Sequence, residues 1–302
     1  MDALRQLLAR SDRERVALGH FNVADMVLLK AVVAAAGELT VPVLIGASEG
    51  ERRFFGTRQL AAVIESLREE SKLPIFLNAD HTHSLASAVE AAKAGFDSVV
   101  IDFSAKAFDE NVRRTREVVE AIKAINPSIV AEGEIGDIGT GSQIHEAAPA
   151  QTRRLSTPDE ARQFAQATGI DVLAPAVGNM HGLSREMVRG QAKKHLNIAT
   201  IAAIKRAAGV FLTLHGASQT DDTDLRDAIA AGINIIHINT ELRVAWRRSL
   251  EAALAAETQQ VVPYEILSPV VDAVKQVVRS RLELFNSLPR VRPVQPEAPL
   301  ST

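Results

Sequence analysis

Asp80, His81 and His83 follow a short apolar run and place one carboxylate and two imidazoles within four residues. Two more histidines, His181 and His215, are each followed at once by a glycine, Gly182 and Gly216. Three neutral imidazoles with an open fourth position make a catalytic site for zinc or a related divalent ion. The chain has no cysteine, so any ion would be held by histidine and carboxylate. A competing reading is that Asp, Thr, Ser and His cap helices after turns, which suits Ser48, Ser104 and Thr240 taken singly. It does not account for the histidines. The glycines beside them carry a second theme, because small residues let backbone N–H groups approach an anion at a helix N-terminus, with Ser218 and Thr240 adding hydroxyls. A divalent ion beside an anion cradle suits a phosphorylated substrate whose carbonyl is to be polarised.

Such residues must be brought together by the elements that carry them. Eight short, nearly continuous apolar runs recur at 16–23, 41–47, 74–80, 98–104, 128–135, 171–177, 210–216 and 233–239. Runs of that kind suit strands buried on both faces. Between them lie stretches with apolar residues at three- and four-residue steps, such as LLKAVVAAAGELT (28–40) and DENVRRTREVVEAIKAI (109–125), which predict helices. Eight strand–helix units predict a (β/α)8 TIM barrel as a single domain over 1–288, with a Pro-rich tail at 289–302 of disordered composition. No Gly-rich dinucleotide fingerprint follows the first strand. In such a barrel the C-terminal strand ends share one mouth. They offer Asn22, Ser48, Asp80 with His81, Asp102 with Ser104, Glu132 with Glu134, His181, His215 with Gly216, and His237 with Thr240. The intervals 136–170 and 178–209 are too long for plain connections and predict binding loops.

Composition sets the outer bounds. The 302 residues are 46% hydrophobic with a net charge of −3, enough for a large core and too little field for nucleic acid or an anionic membrane. No run is long and apolar enough to cross a bilayer, so a cytoplasmic protein is expected. A Schiff-base route to a carbonyl substrate, the alternative to a metal, would need a buried lysine at a strand end; Lys106 follows the fourth run, and the ends of the fifth to eighth have none.

The segments GHFNVADM, SVVIDFSAKAFDENVRRTREVVEAI, AEGEIGDIG, DVLAPAVGNMHGL, LTLHGAS and VVDAVKQVVRSRLELFNS resemble those of the class II, metal-dependent fructose- and tagatose-bisphosphate aldolases, over nearly the whole chain. The resemblance implies reversible cleavage of a ketose 1,6-bisphosphate to dihydroxyacetone phosphate and an aldehyde such as glyceraldehyde 3-phosphate. It implies that His81, His181 and His215 hold one zinc and that Asp80 is the catalytic carboxylate. Gly182, Gly216, Ser218 and Thr240 would hold the phosphate, while Asp102 and Glu134 match alternative metal positions. A second metal or a monovalent cation is left open, and a homodimer or homotetramer is implied. His83 matches no ligand.

Four positions depart from the family pattern. Ala217 interrupts the usual Gly-Gly-Ser, Arg185 stands where a phosphate-side lysine is usual, and His237 replaces an asparagine that contacts substrate. Ser142 replaces the loop glutamate that moves a proton, and Glu146 is the favoured substitute, with His145 next. These departures leave open a sugar-phosphate-binding paralogue without turnover. A metal-dependent amidohydrolase is the weaker alternative, since its His-x-His belongs on the first strand and here lies on the third.

Overall fold

The computed structural model describes residues 3–139, 141, 143–146 and 154–285; Ser142 and the Pro-rich tail lie outside the described residues. In chain order the strands are β1 (Leu18–Asn22), β2 (Val43–Ala47), β3 (Ile75–Thr82), β4 (Ser98–Ile101), β5 (Val130–Ile135), β6 (Ile144–His145), β7 (Val172–Pro175), β8 (Leu183–Ser184), β9 (Phe211–Leu214) and β10 (Ile233–Ile238). All but β6 and β8 close a parallel barrel in the order β1-β2-β3-β4-β5-β7-β9-β10. Each apolar run singled out in the sequence carries one barrel strand. The helices are α1 (Ala3–Glu14), α2 (Met26–Leu39), α3 (Glu49–Phe55), α4 (Thr57–Ser71), α5 (Leu85–Ala94), α6 (Phe108–Ile125), α7 (Pro158–Thr168), α8 (Arg185–Val188), α9 (Ile198–Ala208), α10 (Asp222–Ala231), α11 (Thr240–Ala256) and α12 (Pro263–Leu284).

Local chemistry sets several boundaries. Asp25 starts α2 by accepting from the Leu28 N–H at 2.8 Å. Ser48 and Glu51 form a reciprocal capping box at α3, as do Thr157 and Glu160 at α7, where Pro158 occupies the first turn. Ser48 is thus a cap, as its type suggests. The other two candidate caps are not: α11 begins with Thr240 itself, and the Ser104 hydroxyl lies 2.7 Å from Asp102 Oδ1 and 2.9 Å from Glu134 Oε1.

One end of the barrel is plugged. Leu4, Leu7 and Leu8 of α1 pack with Leu18, Leu44, Phe76, Val130, Val172 and Ile235 from six strands. Arg5 fastens the plug, its guanidinium meeting both Asp171 carboxylate oxygens at 3.1 Å and the Ile129 carbonyl at 2.7 Å. The opposite end stays available for chemistry. There the β3–β4 register shifts between Ala79 and Thr82, and His81 sits at φ +36°, a left-handed value that non-glycine residues rarely adopt. The irregularity breaks the two-residue alternation, so that adjacent Asp80 and His81 both line the mouth. That is why one turn can hold so many chemical groups.

Leu8 is fully buried in the plug. Leu8→Ala is expected to destabilise the fold by about 2–5 kcal/mol, the usual cost of a leucine-sized cavity. A lowered urea midpoint with unchanged metal content would check it; an unchanged midpoint would mean that the plug does not support the barrel.

Candidate active site

The mouth holds an outer cleft of about 430 Å³ lined by Ser48, Arg53, Asp80, His81, Asp102, His181 and Arg243, among others. It narrows to an inner chamber lined by Asn22, Asp80, His181, Gly182, Lys194, Gly216, Ser218, His237 and Thr240. His81 from the end of β3, His181 from the loop after β7 and His215 just past β9 converge: the ring centroids are 4.8 Å apart for His81–His181, 4.9 Å for His81–His215 and 6.0 Å for His181–His215. With Glu134 they present one donor atom each, all within 4.8 Å of one another.

Electrostatics explain how so many ionisable groups share a dry site. His215 lies between two buried carboxylates, 2.6 Å from Glu132 Oε1 and 2.9 Å from Glu134 Oε2. Burial works to discharge the imidazole, but these two bonds outweigh it and hold its pKa well above the ordinary value. Burial also opposes a charge on His81, yet Asp80, Asp102 and Glu134 raise it to about 9. Its Nδ1 is 2.8 Å from Asp102 Oδ2. Desolvation would raise Asp80 and Asp102, but their positive neighbours, His81 foremost, hold both well below the usual carboxylate range.

His181 behaves oppositely. Burial and the charges on His81 and His215 keep it neutral, and its Nε2 is buried with no hydrogen-bond partner. A neutral imidazole with a bare, buried nitrogen beside two further imidazoles and Glu134 fits a divalent cation.

The inner chamber is shaped by glycines that a side chain would block. A Cβ on Gly216 would lie 2.4 Å from the Met180 carbonyl oxygen, and one on Gly182 would lie 2.6 Å from His145 Nε2. Ser218 and Thr240 are buried beside them. His237 stacks on His20 with centroids 3.5 Å apart and planes 13° from parallel, and its Nδ1 lies 3.6 Å from Asp80 Oδ1. With Asp80 these two histidines also offer one donor atom each within 4.8 Å, but near-parallel ring planes do not converge on one ion, so His20 and His237 read as a wall.

Two expected residues lie elsewhere. Arg185 and Glu146 pair with each other at 2.6 Å on the surface, and neither lines the mouth. His83, for which no ligand role is expected, is exposed at the outer cleft, its Nδ1 3.1 Å from the Asp102 carbonyl oxygen. Three others were passed over in the sequence. They are His20 within β1, Lys194 in the long interval before α9, and Glu51, which also belongs to the α3 capping box. Glu51 in fact accepts from Asn22 Nδ2 at 2.8 Å and from Arg243 at 2.6 Å, and Asn22 also donates to Asp80 Oδ2 at 2.9 Å. Nothing in their spacing could have revealed this, because the partners come from elements far apart in the chain.

A closed parallel barrel with a histidine and carboxylate cluster at its mouth fits the class of metal-assisted enzymes. Residues 2–290 match the family of class II fructose-bisphosphate aldolases, and the chain belongs to it. It is 32% identical to the fructose-bisphosphate aldolase of Thermus caldophilus, covering 94% of this chain and 98% of that one. It is 31% identical to the D-tagatose-1,6-bisphosphate aldolase subunit GatY of Klebsiella oxytoca, covering 91% and 94%. The YdjI aldolase of Escherichia coli K12 superposes with a TM-score of 0.79 at 28% identity, covering 95% and 97%.

Because Asp80, Asp102 and Glu134 raise the His81 pKa to about 9, divalent-ion binding near pH 7.5 is expected to release at least one proton per ion. The sign follows from the raised pKa, since an imidazole must be neutral to ligate. Calorimetry in buffers of different ionisation enthalpy would read the release; binding with none would remove His81 from the ligand set.

Proposed function

We propose that the chain is a zinc-dependent aldolase that reversibly cleaves a ketose 1,6-bisphosphate of the fructose or tagatose type into dihydroxyacetone phosphate and an aldehyde. The observation that carries this reading is the placement of Asp80 between the His81–His181–His215–Glu134 cluster and the glycine-lined chamber. In this reading His81, His181 and His215 hold zinc, with Glu134 and Asp102 as alternative ligands. Gly182, Gly216, Ser218 and Thr240 hold the carbon-one phosphate, and His237 contacts the substrate. A bound divalent ion would supply Lewis-acid stabilisation of the negative charge that develops on the ketone oxygen.

The protein's own groups do the rest. Cleavage requires the hydroxyl proton on the carbon that becomes the aldehyde to leave while the carbon–carbon electron pair moves toward the ketone. Asp80 is ionised, Asn22 fixes its Oδ2, and its Oδ1 is buried without a hydrogen-bond partner. That oxygen accepts the proton in cleavage and returns it in condensation. The second proton, on the carbon of dihydroxyacetone phosphate, is assigned to Glu146. Its pairing with Arg185 does not forbid this, since an exposed ion pair is worth about 0–1 kcal/mol and opens readily. Arg185, once released, remains a candidate for the phosphate.

The β6–β8 pairing ties the loop after β5 to the segment that follows His181 and Gly182, and this supports a role for that loop over the chamber. Homodimeric or homotetrameric assembly in the cytoplasm is the accompanying reading. The exposed apolar residues Leu254, Val261 and Tyr264 around the α11–α12 turn support a contact between copies.

Asp80→Ala is expected to retain the ion and lose about 10²- to 10⁴-fold in cleavage rate, the usual contribution of a positioned acid or base. Metal analysis with a coupled triose-phosphate assay tests both halves, and near-normal turnover would remove Asp80 from the mechanism. Proton exchange between dihydroxyacetone phosphate and deuterated water, without aldehyde, tests the loop. Glu146→Ala should slow it and His145→Ala should spare it; the reverse pattern would transfer the role to His145.

A further inference from the structure

Lys194 is almost fully buried in the wall of the inner chamber, and among the described residues its ammonium has no carboxylate hydrogen-bond partner, Glu241 acting on it only through space. Its Nζ donates to two backbone carbonyls, Met180 at 2.7 Å and Gly216 at 2.9 Å. Those carbonyls belong to the two loops that carry His181 and His215. The lysine is held rigidly: its N–H donates to the Gln219 carbonyl at 3.0 Å and its own carbonyl accepts from the Asp221 N–H at 3.0 Å. An ammonium has three hydrogens, and two carbonyls account for two.

A buried ammonium facing neutral carbonyls is costly unless an anion completes its surroundings. The chamber it lines is the one with Gly182, Gly216, Ser218 and Thr240. Meanwhile Arg185, the cation the sequence offers for this purpose, is turned to the surface and paired with Glu146.

We propose that Lys194 is the built-in cation of the phosphate site: its ammonium, fixed by the Met180 and Gly216 carbonyls, directs its third hydrogen at a substrate phosphate and supplies the positive charge that two carbonyls and a phosphate would otherwise draw from a free cation. This deepens the aldolase reading and rests on it for the identity of the phosphate ester. Burial pushes the ammonium down to about 7, with Glu241 opposing the fall only in part, so an arriving dianion would be what keeps it charged. The geometry distinguishes this role from that of a Schiff-base lysine, because an amine pinned by two carbonyls is presented as a donor and not as a nucleophile.

Inorganic phosphate is the probe, titrated calorimetrically into zinc-loaded protein, with ketose bisphosphate kinetics alongside. Lys194→Met should weaken phosphate binding by about 10- to 100-fold, as expected for losing one charge-assisted contact, and raise KM far more than it lowers kcat. In Lys194→Ala, ammonium or potassium ions should restore much of the lost phosphate affinity, because either can occupy the freed carbonyls. Wild-type affinity should be the same with and without potassium, a measurement that needs no variant to fold. Equal phosphate affinity in wild type and Lys194→Met, potassium dependence in the wild type, or borohydride trapping of dihydroxyacetone phosphate on Lys194 would each overturn the proposal. Lysine-dependent phosphate binding without any ketose cleavage would instead uphold it and overturn the aldolase reading.

Discussion

The mouth of this barrel is organised around one imidazole placed between two carboxylates, His215 between Glu132 and Glu134. Both glutamates come from the same strand, β5, two residues apart, so their side chains share its inward face. Two buried carboxylates so close repel each other, and a positive group between them relieves that repulsion. His215, hydrogen-bonded to both, stands in that place. The remaining residues follow from that need. His81 faces Asp80, Asp102 and Glu134, the Ser104 hydroxyl bridges Asp102 and Glu134, and His181 is left neutral with a bare nitrogen.

The irregular end of β3 is the complementary backbone feature. A regular strand would send Asp80 and His81 to opposite faces, and the site would lose either its ligand or its acid–base group. The left-handed φ at His81 costs backbone energy of about 1–3 kcal/mol, offset by the plugged opposite end and the continuous barrel around it. Glycine at 182 and 216 serves the same end, since both have positive φ and both let a neighbour approach closer than a Cβ would permit.

Stability and chemistry are divided between the two ends of the barrel. Leucines of α1 and the Arg5–Asp171 contact close one end with apolar packing and a bidentate ion pair. The other end collects charges, and its loops are tied by side-chain-to-backbone bonds such as Asn179 Nδ2 to the His215 carbonyl at 3.0 Å and Lys194 to Met180 and Gly216. Such bonds hold the loops without filling the chamber, which keeps a polar substrate's path free of apolar side chains.

The eight apolar runs, the helical periodicities and the histidines at strand ends were legible in the sequence, because strand burial on both faces and the convergence of strand ends constrain residue type at each position. The Ser48 cap was legible in kind, being local. What only the tertiary structure decided concerns partners distant in the chain. Ser104 serves two carboxylates instead of a helix, Arg185 and Glu146 meet each other instead of the mouth, and His20 lies flat against His237. Lys194 is the clearest case. As the second lysine of a Lys-Lys pair it has the look of a solvated residue, and only the folding of its loop beneath His181 and Gly216 turns it inward. Sequence specifies the periodic elements because their patterns repeat locally; the charge partners of a barrel mouth are set by closure of the sheet, which brings together residues that share no local pattern.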